Sequence, residues 1–95
     1  MQFLAICRRR TEAFSESDFA SLLDAEAECV RAFYAEGFVR AAWGRDDVAG
    51  ACLLLEAASV AQADAKLQTL PLASAGMLEV QLIPLRGYRG FGPRS

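Results

Sequence analysis

Histidine is missing from this sequence altogether. Its absence removes the commonest general base near neutral pH and the commonest transition-metal ligand. Haem ligation by histidine, a Ser-His-Asp triad and a facial-triad iron site are therefore excluded within one chain. Cysteine is scarce: Cys7, Cys29 and Cys52 are far apart, odd in number and form no CxxC pair. No disulfide framework follows, and the three read as small core residues. No apolar run approaches the roughly 18 residues of a membrane span. The stretch from Met1 to Arg10 is too short, and too basic at its end, for a signal peptide. A cytoplasmic protein without a membrane partner is expected. Basic residues are not in excess either, since the net charge is −2. That argues against nucleic acid as a partner, because phosphate binding needs a concentrated basic face.

What the chain does have is apolar surface. It is 95 residues long and 54% hydrophobic. A domain of this size buries only a modest fraction of its surface. Association with further copies of itself is the expected outlet, as a homodimer or a larger homo-oligomer.

The residues order themselves as β-α-β-β-α-β. Gln2 to Arg8 is apolar and loosely alternating, as in a buried strand. Ser15 to Asp18 forms an S-x-x-D capping box. It opens a helix expected to run to about Glu36 and to stop at Gly37. Phe38 to Arg45 and Val48 to Glu56 read as two strands of a hairpin around Asp46-Asp47. Ser59 and Gln62 form a second capping box, for a helix expected to reach about Leu70 and to end at Pro71. Met77 to Leu85 is the last strand, and residues 87–95 form a tail rich in Gly and Arg. The pattern predicts one ferredoxin-like α+β domain over residues 1–95. Its four-stranded antiparallel sheet carries both helices on one face. Both sides of the third strand are apolar: Ala49, Ala51, Leu53 and Leu55 on one, Gly50, Cys52 and Leu54 on the other. A second subunit packed sheet to sheet would cover the bare face and form a barrel.

Several residues fall in a family pattern. They are Glu26 in the first helix, Glu36-Gly37 with Arg40 and Trp43, then Leu70-Pro71-Leu72, and Glu79-Val80 in the last strand. In this order and spacing the chain resembles the muconolactone Δ-isomerase family of the dimeric α+β-barrel superfamily, from about Phe3 to Tyr88. It departs from that family in lacking histidines, in Ala73-Ser74-Ala75-Gly76 after the LPL motif, and in the tail. The resemblance implies a cofactor-independent isomerase that moves a double bond in a small lactone or unsaturated acid, with the substrate left open.

Glu26 is the sequence's best candidate for chemistry. At 100° per residue it falls near the middle of the apolar stripe of Phe19, Leu22, Leu23, Val30 and Phe33. A carboxylate there is costly unless paired or protonated. Burial would raise its pKa toward the range useful for proton transfer. A structural ion pair with Arg40 or another arginine is the competing reading. Arg40 could otherwise hold a substrate carboxylate or a developing oxyanion. Arg40 and Trp43 are three apart, so they serve one pocket only across a β-bulge. Trp43, Glu79 and Phe33 are candidate substrate-binding residues, with core or interface packing as the alternative for each. Arg8-Arg9-Arg10 and the group Arg86, Arg89 and Arg94 lie at opposite ends of the sheet and read as solvated ends. Tyr88 and Phe91 are expected to dock on a neighbouring subunit. Two other functions share this fold. One is a non-catalytic ligand-binding or oligomerisation module. The other is a cofactor-free monooxygenase, which the lack of histidine disfavours.

Overall fold

The computed structural model describes residues 1–93, so Arg94 of the second basic group lies outside the described residues. The strands are β1 (Gln2–Arg9), β2 (Val39–Gly44), β3 (Gly50–Glu56) and β4 (Leu78–Leu85). They form one antiparallel sheet in the order β2-β3-β1-β4. The helices are α1 (Glu16–Ala20), α2 (Leu23–Ala35), α3 (Val60–Leu67) and α4 (Pro71–Ser74), with a 3-10 turn over Arg89–Phe91. This is the ferredoxin-like α+β fold that the sequence pattern predicts. Among the described residues no helix is long and apolar enough to cross a membrane.

The first helix is in two pieces, not one run from Ser15 to Glu36. The capping box is present, with Ser15 Oγ accepting from Asp18 N–H and Asp18 accepting from Ser15 N–H. The ladder then tightens: Leu22 N–H bonds to the Phe19 carbonyl, three residues back, at 2.9 Å. The Ser21 hydroxyl donates to the Asp18 carbonyl at 2.8 Å. A short serine side chain that competes for helical carbonyls favours such a break. At the other end α2 closes as the sequence implies. Gly37 has φ +87°, and Gly37 and Phe38 N–H return to the Tyr34 and Phe33 carbonyls. Phe33 and Phe38 meet edge-to-face at 5.1 Å, the apolar contact that accompanies this stop.

The second helix also differs from expectation. It ends at Leu67, and Pro71 opens α4 instead of closing α3. Proline is favoured in a first turn, where its missing N–H costs nothing. Gln62 accepts from Ala58 N–H, one residue before the Ser59 cap.

Alternation along the strands gives the sheet two unlike faces. Phe3, Ala5, Cys7, Leu53, Leu55 and Val39 point toward the helices and are buried with Phe33, Phe38, Ala63, Leu67 and Leu70. A second, smaller cluster joins Phe19 of α1 to Leu72 and Met77. On the opposite face, Leu4 pairs with Leu54 and Ile83, and Ile6 with Cys52 and Gln81. Among the described residues no helix covers that face, and none of these side chains is fully buried. In the hairpin, Gly50 is required: a Cβ there would drive into the Cys7 carbonyl oxygen.

Candidate functional site

The broken helix places Glu26 at the seam between the two apolar clusters. Upstream, Leu22 and Leu23 pack on the Phe19 cluster; downstream, Val30 and Phe33 belong to the main core. The seam does not close completely. It leaves a partly open cavity of about 100 Å³ lined by Glu26, Cys7, Arg9, Val30 and the leucines Leu53, Leu70, Leu72 and Leu78, with Gly50 and Ala51. Most of this lining is hydrocarbon, as in ligand pockets generally.

Glu26 is partly buried. Its Oε1 accepts from Leu72 N–H at 3.0 Å. That donor belongs to the first turn of α4, where an N–H has no partner within its own helix. The LPL motif thus presents one backbone donor to one carboxylate oxygen. No arginine or lysine comes within 4.0 Å of Glu26 among the described residues, so the ion pair considered from the sequence is not formed among them. Burial pushes the Glu26 pKa up, opposed by the Leu72 hydrogen bond and the charge of Arg9. Burial also pushes the Cys7 thiol up to about 11, with the Glu26 charge adding to it.

The other candidates lie elsewhere. A bulge does occur in β2, where the register shifts between Val39 and Ala41. It does not unite Arg40 with Trp43. Arg40 is exposed and lines a shallow recess with Tyr34, Glu36 and Gly37 beyond the end of α2. Trp43 pairs with Cys52 on the open sheet face and is 55% exposed. Glu79 is on that same face and bonds Arg8 at 3.1 Å, while Arg8 also grips Glu12. The shared guanidinium lowers both carboxyls, Glu12 to about 2. Phe33 is buried in the main core beside Phe38, outside the cavity lining.

Arg9 and Cys7 reach the cavity although neither was singled out from the sequence. Phe3, Ala5 and Cys7 alternate onto the helix side of β1, and one further step of two brings Arg9 there. The guanidinium of Arg9 lies 5.8 Å from the ring centre of Phe19. Among the described residues no group of three or more Cys, Asp or Glu side chains is spaced to hold a metal ion.

No family model and no curated protein matches this chain. Among solved structures it is similar to 5-chloro-2-hydroxyhydroquinone dehydrochlorinase (TftG) from Burkholderia phenoliruptrix AC1100, in complex with 2,5-dihydroxybenzoquinone. The identity is 20% and the TM-score 0.60, over 95% of this chain and 98% of that one, a likeness of fold that extends across essentially the whole domain.

Proposed function

We propose that the chain is a muconolactone isomerase-like member of the dimeric α+β-barrel superfamily. In this reading it acts without a cofactor on a small unsaturated ring compound or acid. Glu26 carries the reaction. Its carboxylate takes a proton from the carbon beside a carbonyl and leaves a dienolate. The same carboxyl then returns the proton to the far carbon, so the double bond moves and the atoms balance. The observation behind this reading is the Glu26 carboxyl itself: partly buried, raised in pKa, unpaired by any cation among the described residues, and facing an apolar cavity. A carboxyl raised by burial is shifted in the direction that suits it to give and take protons. TftG, which shares the fold, acts by its name on a hydroxylated chlorinated ring, and this supports a small cyclic substrate.

The remaining candidates take lesser parts in the proposal. Trp43 and Glu79 belong to the open sheet face, which a second copy covers. Phe33 backs α2 behind Glu26. Arg40 stays outside the cavity of its own chain and serves as a substrate partner only at a boundary with another copy, as does the tail beginning at Gly87.

Incubating the protein with a β,γ-unsaturated γ-lactone in D2O, followed by proton NMR, tests the reading. Enzyme-dependent exchange or transposition lost in Glu26→Gln supports it. Undiminished exchange in a folded Glu26→Gln variant overturns it.

A further inference from the structure

Four arginines surround the end of the sheet nearest Glu26, and three are occupied. Arg8 is held by Glu12 and Glu79, Arg10 by the Gly76 carbonyl, and Arg45 by Asp47 at 2.6 and 2.9 Å. Arg9 has no hydrogen-bonded or ion-paired side-chain partner among the described residues. Its guanidinium lies over the Phe19 ring, at a distance typical of a cation–π pair. It is nevertheless partly buried, and it lines two spaces at once. One is the apolar cavity of Glu26. The other is an open groove bordered by Thr11, Glu16, Ser17, Phe19, Ala20, Leu23 and Ala49.

Size makes this position significant. The inner cavity holds about 100 Å³, whereas a cavity that accepts benzene measures about 150 Å³. A substituted ring therefore extends beyond the cavity, and Arg9 is the residue that lines both the cavity and the groove. Whatever occupies that boundary meets five guanidinium donors with no carboxylate bound to them.

We propose that Arg9 is the anion-binding residue of this site, and that its ligands are small unsaturated or aromatic monocarboxylates. The apolar body enters the cavity beside Glu26, and the carboxylate stays in the groove on Arg9. The planar fork of arginine suits a carboxylate in two parallel hydrogen bonds. Glu16 on the groove rim disfavours ligands with a second negative charge there. The inference rests on the Glu26 reading for the location of the site, but it is tested separately.

The test uses the whole chain, with benzoate and its neutral isostere benzamide as probes, titrated by NMR and by thermal shift. Benzoate is expected to bind more tightly than benzamide. Arg9→Met should weaken benzoate about tenfold to a hundredfold, the worth of a charge-assisted hydrogen bond, and leave benzamide unchanged. Arg9→Lys should restore part of the preference, which separates lost charge from lost packing. Equal binding of the two probes, no benzoate binding, or a loss confined to Arg40→Met each overturns the proposal. The outcome is independent of the deuterium-exchange test. Arg9-dependent benzoate binding with Glu26-independent exchange sinks only the catalytic reading, and the reverse result sinks only this one.

Discussion

At Glu26 the two carboxylate oxygens have unlike surroundings. Oε1 is tied to Leu72 N–H, and no hydrogen bond reaches Oε2 among the described residues. The groups facing it are the Arg9 cation, the Cys7 thiol and hydrocarbon. Because its folded pKa is raised, the folded state holds its proton more tightly than the unfolded chain does. Stability from this group is complete at low pH and is lost as pH rises from the ordinary glutamate range through the raised value. Chemical denaturation across that window should show the decline in the wild type. Glu26→Gln keeps the acceptor for Leu72 and should flatten the decline; an identical pH profile would mean that the carboxyl is effectively solvated. Cys7 gives a second residue-scale expectation. Its thiolate is disfavoured and the residue is 2% exposed. Thiol-directed alkylation followed by mass mapping should label Cys29, on α2, well before Cys7. Of the site's residues, Glu26 was legible because a lone acid on an apolar stripe breaks the pattern. Arg9 was equally encoded by the period-two alternation of β1. It was concealed by its neighbours, since three arginines in a row read as a solvated strand end.

The elements show which boundaries a sequence can encode. The capping box at Ser15 and the stop at Gly37 were legible because each depends on one residue type at one position. The break at Ser21-Leu22 was not, because a single tightened turn leaves the spacing of apolar residues nearly intact. The bulge at Arg40 has no residue signature at all: it appears only when β2 is laid against β3. Pro71 was read as a stop when it is a start, an ambiguity built into proline, which tolerates both places. The hairpin allows a sharp comparison. A methyl at Gly50 would strike the Cys7 carbonyl, whereas one at Gly44 meets nothing within 4 Å. Gly50→Ala should cost about 2–3 kcal/mol in urea denaturation, within the range of severe single substitutions. Gly44→Ala should lie within about 0.5 kcal/mol of wild type. Equal effects would show that the strands shift freely to make room.

For the molecule as a whole, the dominant feature is the sheet face that no helix covers. Leu4, Ile6, Leu54, Ile83 and Trp43 stand on it together, an apolar face of the kind that marks interfaces. If a second copy packs there, the emission of Trp43, the sole tryptophan, should shift to shorter wavelength as protein concentration rises. Ile6→Lys should abolish the shift and halve the mass seen by light scattering. A wild type that is monomeric throughout would exclude the assembly. The fold was readable from element order because handedness and pairing rules leave few arrangements of β-α-β-β-α-β. The site was only half readable, because its cavity arises from how two clusters fail to meet.

The triple arginine at the end of β1 has one more effect. Successive residues of a strand face opposite ways, so consecutive cations are dealt out to separate surfaces. Arg8 is spent on Glu12 and Glu79 outside, Arg10 turns to the Gly76 carbonyl, and Arg9 alone faces inward. A polyanion approaching this edge meets scattered and already neutralised charge, while a molecule small enough to slip beneath the helices meets an undivided one.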